Sequence, residues 1–181
     1  MNGQNPRFDV IGQLAVLRRY ARSLTRSDAD AEDLVHDALV RAYERKSTFR
    51  QAGNLRTWLL SVLHNVFVDG YRSRHSATGR VEQAAVLAEA HLLPPQDHVV
   101  RLAQIRTAFL SLAEEQRAAL HLVAIEGLSY EDAAATLGIP VGTLMSRIAR
   151  ARAALREIED GPAAASTGHL KIVGGRNDKA N

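Results

Sequence analysis

Residues 128–156 read LSYEDAAATLGIPVGTLMSRIARARAALR, and they contain the start and stop signals of two consecutive helices. Ser129 stands three residues before Asp132, a capping-box spacing that predicts the start of a helix. Gly138 ends that helix, because a residue without a side chain enters the left-handed conformation at low cost. Pro140 suits the first turn of the next helix, where a missing N–H group does no harm. The segment therefore predicts two helices joined by a tight turn.

The second of these helices has an apolar face and a basic face. Its apolar positions, three or four residues apart, are Leu144, Ile148, Ala151 and Leu155. Its other positions include Thr143, Ser146, Arg147, Arg150, Arg152 and Arg156. No acidic residue lies between Asp132 and Glu157, whereas a merely solvated helix usually mixes both signs of charge. The arrangement is typical of a helix-turn-helix whose second helix enters the major groove of DNA.

The composition and the absence of catalytic motifs favour a helical intracellular protein that is not an enzyme. The chain has 181 residues, of which 46% are hydrophobic and 5% aromatic, and no cysteine, so disulfides and thiolate metal sites are excluded. No apolar run approaches a membrane span, and the N-terminal MNGQNPRFDV lacks the apolar core of a signal peptide. We therefore expect a soluble, cytoplasmic protein. Phosphate-binding, zinc-protease and serine-nucleophile motifs are absent, so we expect no catalysis, metal or cofactor.

Charge is sorted along the chain, although the net charge is only +3. An acidic block without lysine or arginine comprises Asp28, Asp30, Glu32, Asp33 and Asp37. A basic block without acids, at residues 70–81, contains Arg72, Arg74 and Arg80. Together with the late arginine helix, these blocks give one acidic and two basic surfaces. Such a distribution predicts one protein partner and two nucleic-acid contacts.

Apolar residues at helical spacing predict five further amphipathic helices, so the fold class is all-α. The inward residues of the first three are Leu14, Leu17, Tyr20, Ala21 and Leu24, then Leu34, Val35, Ala38, Leu39, Ala42 and Tyr43, then Leu55, Trp58, Leu59, Val62, Leu63 and Val66. Those of the last two are Leu102, Ile105, Phe109 and Leu112, then Leu120, Val123 and Ala124. Ser27 is the predicted N-cap of the second helix, and Gly127 ends the fifth. His64 and His121 are interpreted as ordinary surface or core-edge residues.

The helices group into two small domains, residues 10–75 and 101–158, joined by a flexible linker at residues 76–100. The linker contains Gly79 and a Pro94–Pro95 pair, and its roughly 25 residues could extend to about 80 Å. No hydrophobic period persists after the second domain, so residues 159–181 are expected to form a disordered tail. The second domain ends in the helix-turn-helix.

Three stretches together resemble the extracytoplasmic-function (group IV) sigma factors of the sigma-70 family. DAEDLVHDALVRAYER, residues 30–45, resembles the helix with which that family docks on RNA polymerase. NLRTWLLSVLHNVFVDGYRSR, residues 54–74, resembles its minus-ten helix and repeats its Asn-x3-Asp-x2-Arg spacing. Residues 115–155 resemble its minus-thirty-five domain nearly throughout. The resemblance implies a sigma region 2 domain at residues 10–75 and a sigma region 4 domain at residues 101–158.

The resemblance also implies contact residues. For polymerase docking they are Asp30, Glu32, Asp33, Leu34, Asp37, Ala38 and Arg41. For the minus-ten strand, with a pocket for a flipped base, they are Arg50, Gln51, Asn54, Arg56, Ser61, His64, Asn65, Arg72 and Arg74. For the minus-thirty-five element they are Val141, Gly142, Thr143, Ser146, Arg147, Arg150 and Arg152. Within that last set, Ser146, Arg147 and Arg150 are expected at base edges and Arg152 at phosphate.

The partners implied by the resemblance are core RNA polymerase, promoter DNA and an anti-sigma factor. The polymerase contacts are expected at the beta-prime clamp helices and the beta flap. For the subgroup, the resemblance suggests the general-stress sigma factors of alphaproteobacteria. Two positions depart from the family: Met145 stands where lysine is common, and Ala113 where proline is common. We expect the first to alter one DNA contact and the second to loosen a turn.

Two other functions are compatible with the residues alone. A stand-alone helix-turn-helix regulator would bind duplex DNA without polymerase, as a dimer on paired half-sites. No dimerisation helix is evident in the sequence, which disfavours this alternative. An all-helical adaptor without a role at DNA would be indifferent to the loss of Arg147 and Arg150.

Overall fold

The regular structure is entirely helical in the computed structural model, which describes residues 9–49, 53–71 and 97–160. The first domain contains α1 (Leu14–Thr25), α2 (Asp28–Glu44) and α3 (Leu55–Val66). The second contains α4 (Asp97–Ser111), α5 (Glu114–Leu120), α6 (Tyr130–Leu137) and α7 (Val141–Asp160). Short 3-10 turns occur at Ile11–Gln13 and Lys46–Thr48, and π turns follow α3 and α5 at Phe67–Tyr71 and His121–Ile125. The all-α prediction is confirmed.

The helix-turn-helix forms from the capping signals that predicted it. The Ser129 hydroxyl accepts a hydrogen bond from the Asp132 backbone N–H at 3.0 Å and caps α6. Gly138 adopts the left-handed conformation at φ +64° and ends that helix. The carbonyl oxygen of Pro140 then accepts the backbone N–H groups of Thr143 and Leu144, which opens α7. Local chemistry therefore fixes the angle at which α7 leaves the turn.

Capping also sets the helix boundaries of the first domain. Ser27 caps α2 by accepting the Asp30 N–H at 3.3 Å, and Asn54 caps α3. α1 ends differently, at Arg26, whose φ of +62° is uncommon for a residue with a side chain. The guanidinium of Arg26 donates from Nη2 to the carbonyl oxygen of Leu112 at 3.1 Å, and Leu112 belongs to the second domain. The end of α1 is thus tied to a distant part of the chain.

Apolar side chains of both domains join in one buried cluster. The predicted inward faces of α1, α3 and α7 largely coincide with it. Four predicted core residues are instead exposed: Tyr43 at 76%, Leu102 at 68%, Ile105 at 51%, and Ala124. Tyr43 lies in the last turn of α2, which has 17 residues whereas α1 and α3 have 12. α4 packs through Ala108 and the residues after it, whereas its earlier apolar positions are not covered by the described parts of the chain.

The two domains pack directly against each other in this structure. α3 contacts α6, and α1 contacts α5. Asp33 and Asp37 on α2 remain exposed, as does Arg150 on α7, so the acidic face does not pack against the late arginines. The charge separation predicted from the sequence is kept within a closed arrangement of the domains.

The predicted linker and tail fall mostly outside the described residues. α4 begins at Asp97, inside the range predicted as linker, and α7 runs to Asp160, past the predicted end of the second domain. Within the described ranges, no helix combines the length and apolar character needed to cross a bilayer.

Candidate nucleic-acid interface

The basic face of α7 points to solvent because the opposite face is anchored in the core. Leu144 and Ile148 are buried, and this orients the remaining positions outward. Ser146, Arg150 and Arg152 are exposed and Arg147 is half-buried. All four candidate side chains are therefore at least partly accessible on the helix-turn-helix.

The start of α7 is open enough for a close approach of its backbone to a ligand. Gly142 is exposed, and a Cβ atom added there would meet nothing within 4 Å. Val141 and Thr143 on either side are half-buried. N–H groups in a first helical turn, with the positive end of the helix dipole, suit an anion such as phosphate.

The candidate minus-ten residues on α3 are much less available. Arg56, Ser61 and His64 are half-buried, whereas Asn65 is exposed. The Ser61 hydroxyl donates to the Trp58 carbonyl oxygen at 2.7 Å within the same helix. His64 Nδ1 lies 3.1 Å from the hydroxyl of a buried tyrosine on α1. Most of this set is therefore engaged inside the protein.

Asn54 has a local task as well. Its side-chain oxygen accepts the backbone N–H groups of Arg56 at 3.0 Å and Thr57 at 3.4 Å, which caps α3. The other candidates for the minus-ten strand, Arg50, Gln51, Arg72 and Arg74, lie outside the described residues.

The residues predicted for polymerase docking differ in exposure. Glu32, Asp33, Asp37 and Arg41 are exposed, and Asp30 is half-buried. Glu32 accepts a hydrogen bond from Arg18 Nε at 3.0 Å. Leu34 and Ala38 were predicted to contact polymerase, but they are 0% and 2% exposed, respectively. These two side chains face the core, because they occupy the apolar stripe of α2 rather than its polar face.

A buried carboxylate joins the two domains. Glu126, just after the π turn, has a fully buried side chain, and it accepts Nε and Nη2 of Arg19 at 2.7 and 3.0 Å. It also accepts Arg56 Nη2 and lies 3.1 Å from His121 Nε2. Burial alone would raise the pKa of this carboxyl group, but hydrogen bonds from its three partners outweigh burial and lower it. We call Glu126, Arg19, Arg56 and His121 the Glu126 cluster.

His121 is a neutral donor in this cluster. Burial lowers its pKa below the ordinary value, despite the opposing hydrogen bond to Glu126. Nδ1 is buried and has no hydrogen-bond partner among the described residues, which fits a ring that carries its proton on Nε2. The ring of Tyr20, on α1, lies 5.2 Å from that of His121, and burial raises the pKa of the Tyr20 hydroxyl. Both rings are therefore uncharged at neutral pH.

A second polar contact between the domains centres on Arg117, which is only 2% exposed. Its guanidinium donates to the carbonyl oxygens of Ser23 and Leu24 at the end of α1. It also donates to those of Leu112 at 2.6 Å and Leu110 at 3.3 Å at the end of α4. Helix C-termini carry unsatisfied carbonyl groups and partial negative charge, which a buried cation complements. Burial lowers the pKa of Arg117 to about 10, so it stays charged at neutral pH.

The sequence patterns predict no role for Arg19, Arg117 or Glu126, and they place His121 among ordinary helix residues. One signal was available: Arg117 and Glu126 are charged residues next to the apolar runs AAL and HLVAI. Isolated charges beside buried runs are usually paired. Their partners could not be read from the sequence, because Arg19 and Glu126 are 107 positions apart.

Two family models match the chain. The model described as Sigma-70 region 2 matches residues 13–77, and the model described as Sigma-70, region 4 matches residues 102–155. The first range contains α1 to α3, and the second contains most of α4 to α7.

Known proteins and solved structures give the same relationship over most of the chain. The ECF RNA polymerase sigma factor EcfG of Rhodopseudomonas palustris (strain TIE-1) is 38% identical over 151 residues, covering 82% of this chain and 82% of that protein. The sigma factor RpoE in complex with the anti-sigma factor NepR, from Bartonella quintana, matches with a TM-score of 0.66 and 34% identity, covering 84% of this chain and 94% of that one. CnrH in complex with the cytosolic domain of CnrY matches with a TM-score of 0.59 and 29% identity, covering 83% and 84%.

Proposed function

The chain belongs to the extracytoplasmic-function sigma factors of the sigma-70 family, and from this premise we propose which of its surfaces meet polymerase, promoter and inhibitor. As an RNA polymerase sigma factor it directs core polymerase to specific promoters and assists their opening, and it is not an enzyme. We assign residues 10–75 to polymerase docking and minus-ten recognition, residues 76–96 to the linker, and residues 97–160 to minus-thirty-five recognition. We further propose that it acts in the cytoplasm, where core polymerase is found.

The observation that carries the DNA assignment is the outward basic face of α7. Arg150 and Arg152 are exposed on a helix that the Gly138 turn presents as the second helix of a helix-turn-helix. In such motifs the second helix lies in the major groove, and arginine makes two hydrogen bonds to guanine there. We propose Ser146, Arg147 and Arg150 for base edges and Arg152 for phosphate.

Run-off transcription with purified core polymerase tests the function as a whole. Core polymerase with the chain should give discrete promoter-specific transcripts from genomic templates, and core polymerase alone should not. Tight, specific binding of the isolated chain to duplex DNA without any transcript would contradict the proposal and favour a stand-alone regulator.

We propose the exposed acidic side chains of α2 as the polymerase-docking face. Asp33 and Asp37 are one helical turn apart and both exposed, so they present two carboxylates on one side of α2. Reversing both charges (Asp33→Lys, Asp37→Lys) should weaken polymerase binding about tenfold or more, because like charges would then meet across the interface. The control is Glu44→Lys, at the C-terminal end of the same helix and outside the proposed set of residues. Equal losses for both variants would contradict the assignment, and circular dichroism checks the fold.

We also propose control by an anti-sigma factor. The support is that two similar solved structures, RpoE and CnrH, are complexes with NepR, an anti-sigma factor, and with the cytosolic domain of CnrY, respectively. A protein that co-purifies with the tagged chain should suppress run-off transcription when added in equimolar amount, and excess chain should restore it. Membership of the general-stress group predicts that release from this inhibitor follows stress. Suppression that excess chain cannot reverse would indicate an effect on polymerase itself.

A further inference from the structure

The second domain covers part of the helix proposed to open the promoter. α6 packs along α3, and Arg56 at the start of α3 is half-buried by this contact. Arg56 is one of the proposed minus-ten contacts, and here its Nη2 donates to Glu126. The closed arrangement thus places a carboxylate of one domain on a candidate DNA contact of the other.

Glu126 is well suited to hold the two domains together. Its side chain is 0% exposed, and both oxygens accept hydrogen bonds from the first domain, Oε1 from Arg19 and Oε2 from Arg19 and Arg56. Charge-assisted and bidentate hydrogen bonds of this kind are about twice as strong as neutral ones. Separation of the domains would leave both guanidinium groups without this carboxylate.

The hydrogen bonding of the Arg56 guanidinium group within the cluster is incomplete. Its Nε atom is buried and has no hydrogen-bond partner among the described residues. Carboxylate and phosphate both accept the two-pronged donation of a guanidinium group, so they compete for the same arginine. One Arg56 side chain cannot donate fully to Glu126 and to a DNA strand at the same time.

We propose that Glu126 is an intramolecular competitor of promoter DNA: its carboxylate holds Arg56 in the closed arrangement, and single-stranded DNA engages Arg56 only after Glu126 has released it. The free chain then limits its own access to the strand through α3, whereas α7 stays exposed. This inference rests on the proposed function of α3, but the closed arrangement can be tested without DNA.

The absence of cysteine in the native chain permits site-specific labelling for the first experiment. Donor and acceptor dyes at Ala15→Cys in α1 and Ala153→Cys in α7, both exposed and outside the proposed sites, report domain separation by single-molecule energy transfer. The labelled protein with the native Glu126 cluster should give one predominant population with high energy transfer. Glu126→Gln should increase the ratio of open to closed molecules about tenfold or more.

The matched control is Arg22→Gln. Arg22 lies on α1 near Arg19, but its ion pair with Asp28 at 2.8 Å is exposed and within one domain. Arg22→Gln should leave the energy-transfer distribution unchanged, because exposed ion pairs contribute little to stability. If Glu126→Gln unfolds the second domain by circular dichroism, Arg19→Gln replaces it, since Arg19 is 48% exposed. The same distribution for the cluster variant and the control would overturn the closed arrangement.

A second experiment asks whether Glu126 competes with DNA. Phosphate contacts carry no sequence information, so a labelled single-stranded oligonucleotide pool at low salt is a sufficient probe. Glu126→Gln should bind it about tenfold more tightly than the native chain. Adding Arg56→Gln should remove that gain.

The results separate the inference from the proposed function. Unchanged binding by Glu126→Gln, or a gain that survives Arg56→Gln, would overturn the competition. Promoter-specific run-off transcription would stand in either case. If the native chain gave no promoter-specific transcript, but Glu126→Gln still increased the open population, the proposed function would be overturned and the interdomain contact would stand.

Discussion

The two proposed DNA surfaces differ in what lies on top of them. On α7, the apolar face is buried, Arg150 and Arg152 are exposed, and Arg147 is half-buried. On α3, the outer face meets α6 of the other domain, and Arg56 and His64 are half-buried and hydrogen-bonded within the protein. A helix with suitable residues is therefore not equivalent to an available binding surface.

The difference indicates an order of events. The minus-thirty-five surface can meet duplex DNA in the closed arrangement, whereas the minus-ten surface needs the domains to separate. Strand opening happens on polymerase, and there the two promoter elements are engaged about 58 Å apart if about 17 base pairs separate them. We therefore propose that domain opening is coupled to engagement of the minus-ten strand, and not to engagement of the minus-thirty-five element.

The difference between α3 and α7 depends on the packing of the two domains against each other. Among the changes considered, Arg117→Met should disturb this packing most. The carbonyl oxygens of Ser23, Leu24 and Leu112 would lose a buried charged donor, so we expect a loss of about 3–5 kcal/mol in the free energy of unfolding. Urea denaturation followed by circular dichroism measures it. Arg22→Met, at an exposed ion pair, should change it by less than about 1 kcal/mol. Equal midpoints for the two variants would show that Arg117 is not structural.

A change on α7 should act whether the domains are closed or open. Arg150→Ala should weaken binding to duplex DNA that carries the minus-thirty-five element by about 1–3 kcal/mol, and by the same amount in the Glu126→Gln background. Fluorescence anisotropy with DNA mapped by run-off transcription measures both. Arg106→Ala, which removes an exposed arginine of α4, is the control. A loss seen only in the Glu126→Gln background would show that α7 is also covered in the native chain.

Lowering the pH should gradually weaken the Glu126 cluster and favour separation of the domains. The pKa of His121 is lowered in the closed structure, so below about pH 6.5 the open form takes up a proton that the closed form resists. Stability of the closed form is therefore present above this pH and is lost as the pH falls. The lowered pKa of Glu126 acts in the same direction at more acidic pH, below about 4.5.

Energy transfer between the two dyes, measured from pH 7.5 to 5, should show progressive opening. His121→Gln is the control, because the amide can donate to Glu126 but does not titrate in this range. His64, which contacts the Tyr20 hydroxyl, is present in both proteins, so the difference between them isolates His121. Identical pH profiles for the two would exclude His121 as the sensitive group.

The sequence predicted the features that depend on neighbouring residues, but not those that depend on contacts between distant helices. Ser129 and Gly138 act on their immediate neighbours, and the helix-turn-helix they predicted is confirmed. Leu102 has the right period for a core residue, but its burial depended on a neighbouring helix that the sequence could not place. Glu126 and Arg19 form their ion pair only because two domains meet, which no spacing along the chain encodes.

The smallest expected effect is that of Gly142→Ala, which tests whether the backbone at the start of α7 approaches DNA closely. Gly142→Ala has open space and a helical conformation, so it should raise the free energy of unfolding by up to about 1 kcal/mol. Gly127→Ala also has open space, but φ is +67°, so alanine there should be destabilising. If phosphate approaches the first turn of α7, Gly142→Ala should weaken duplex binding although the protein becomes more stable. Thermal denaturation and anisotropy together separate the two effects, and unchanged affinity would mean that the side chains alone contact the DNA.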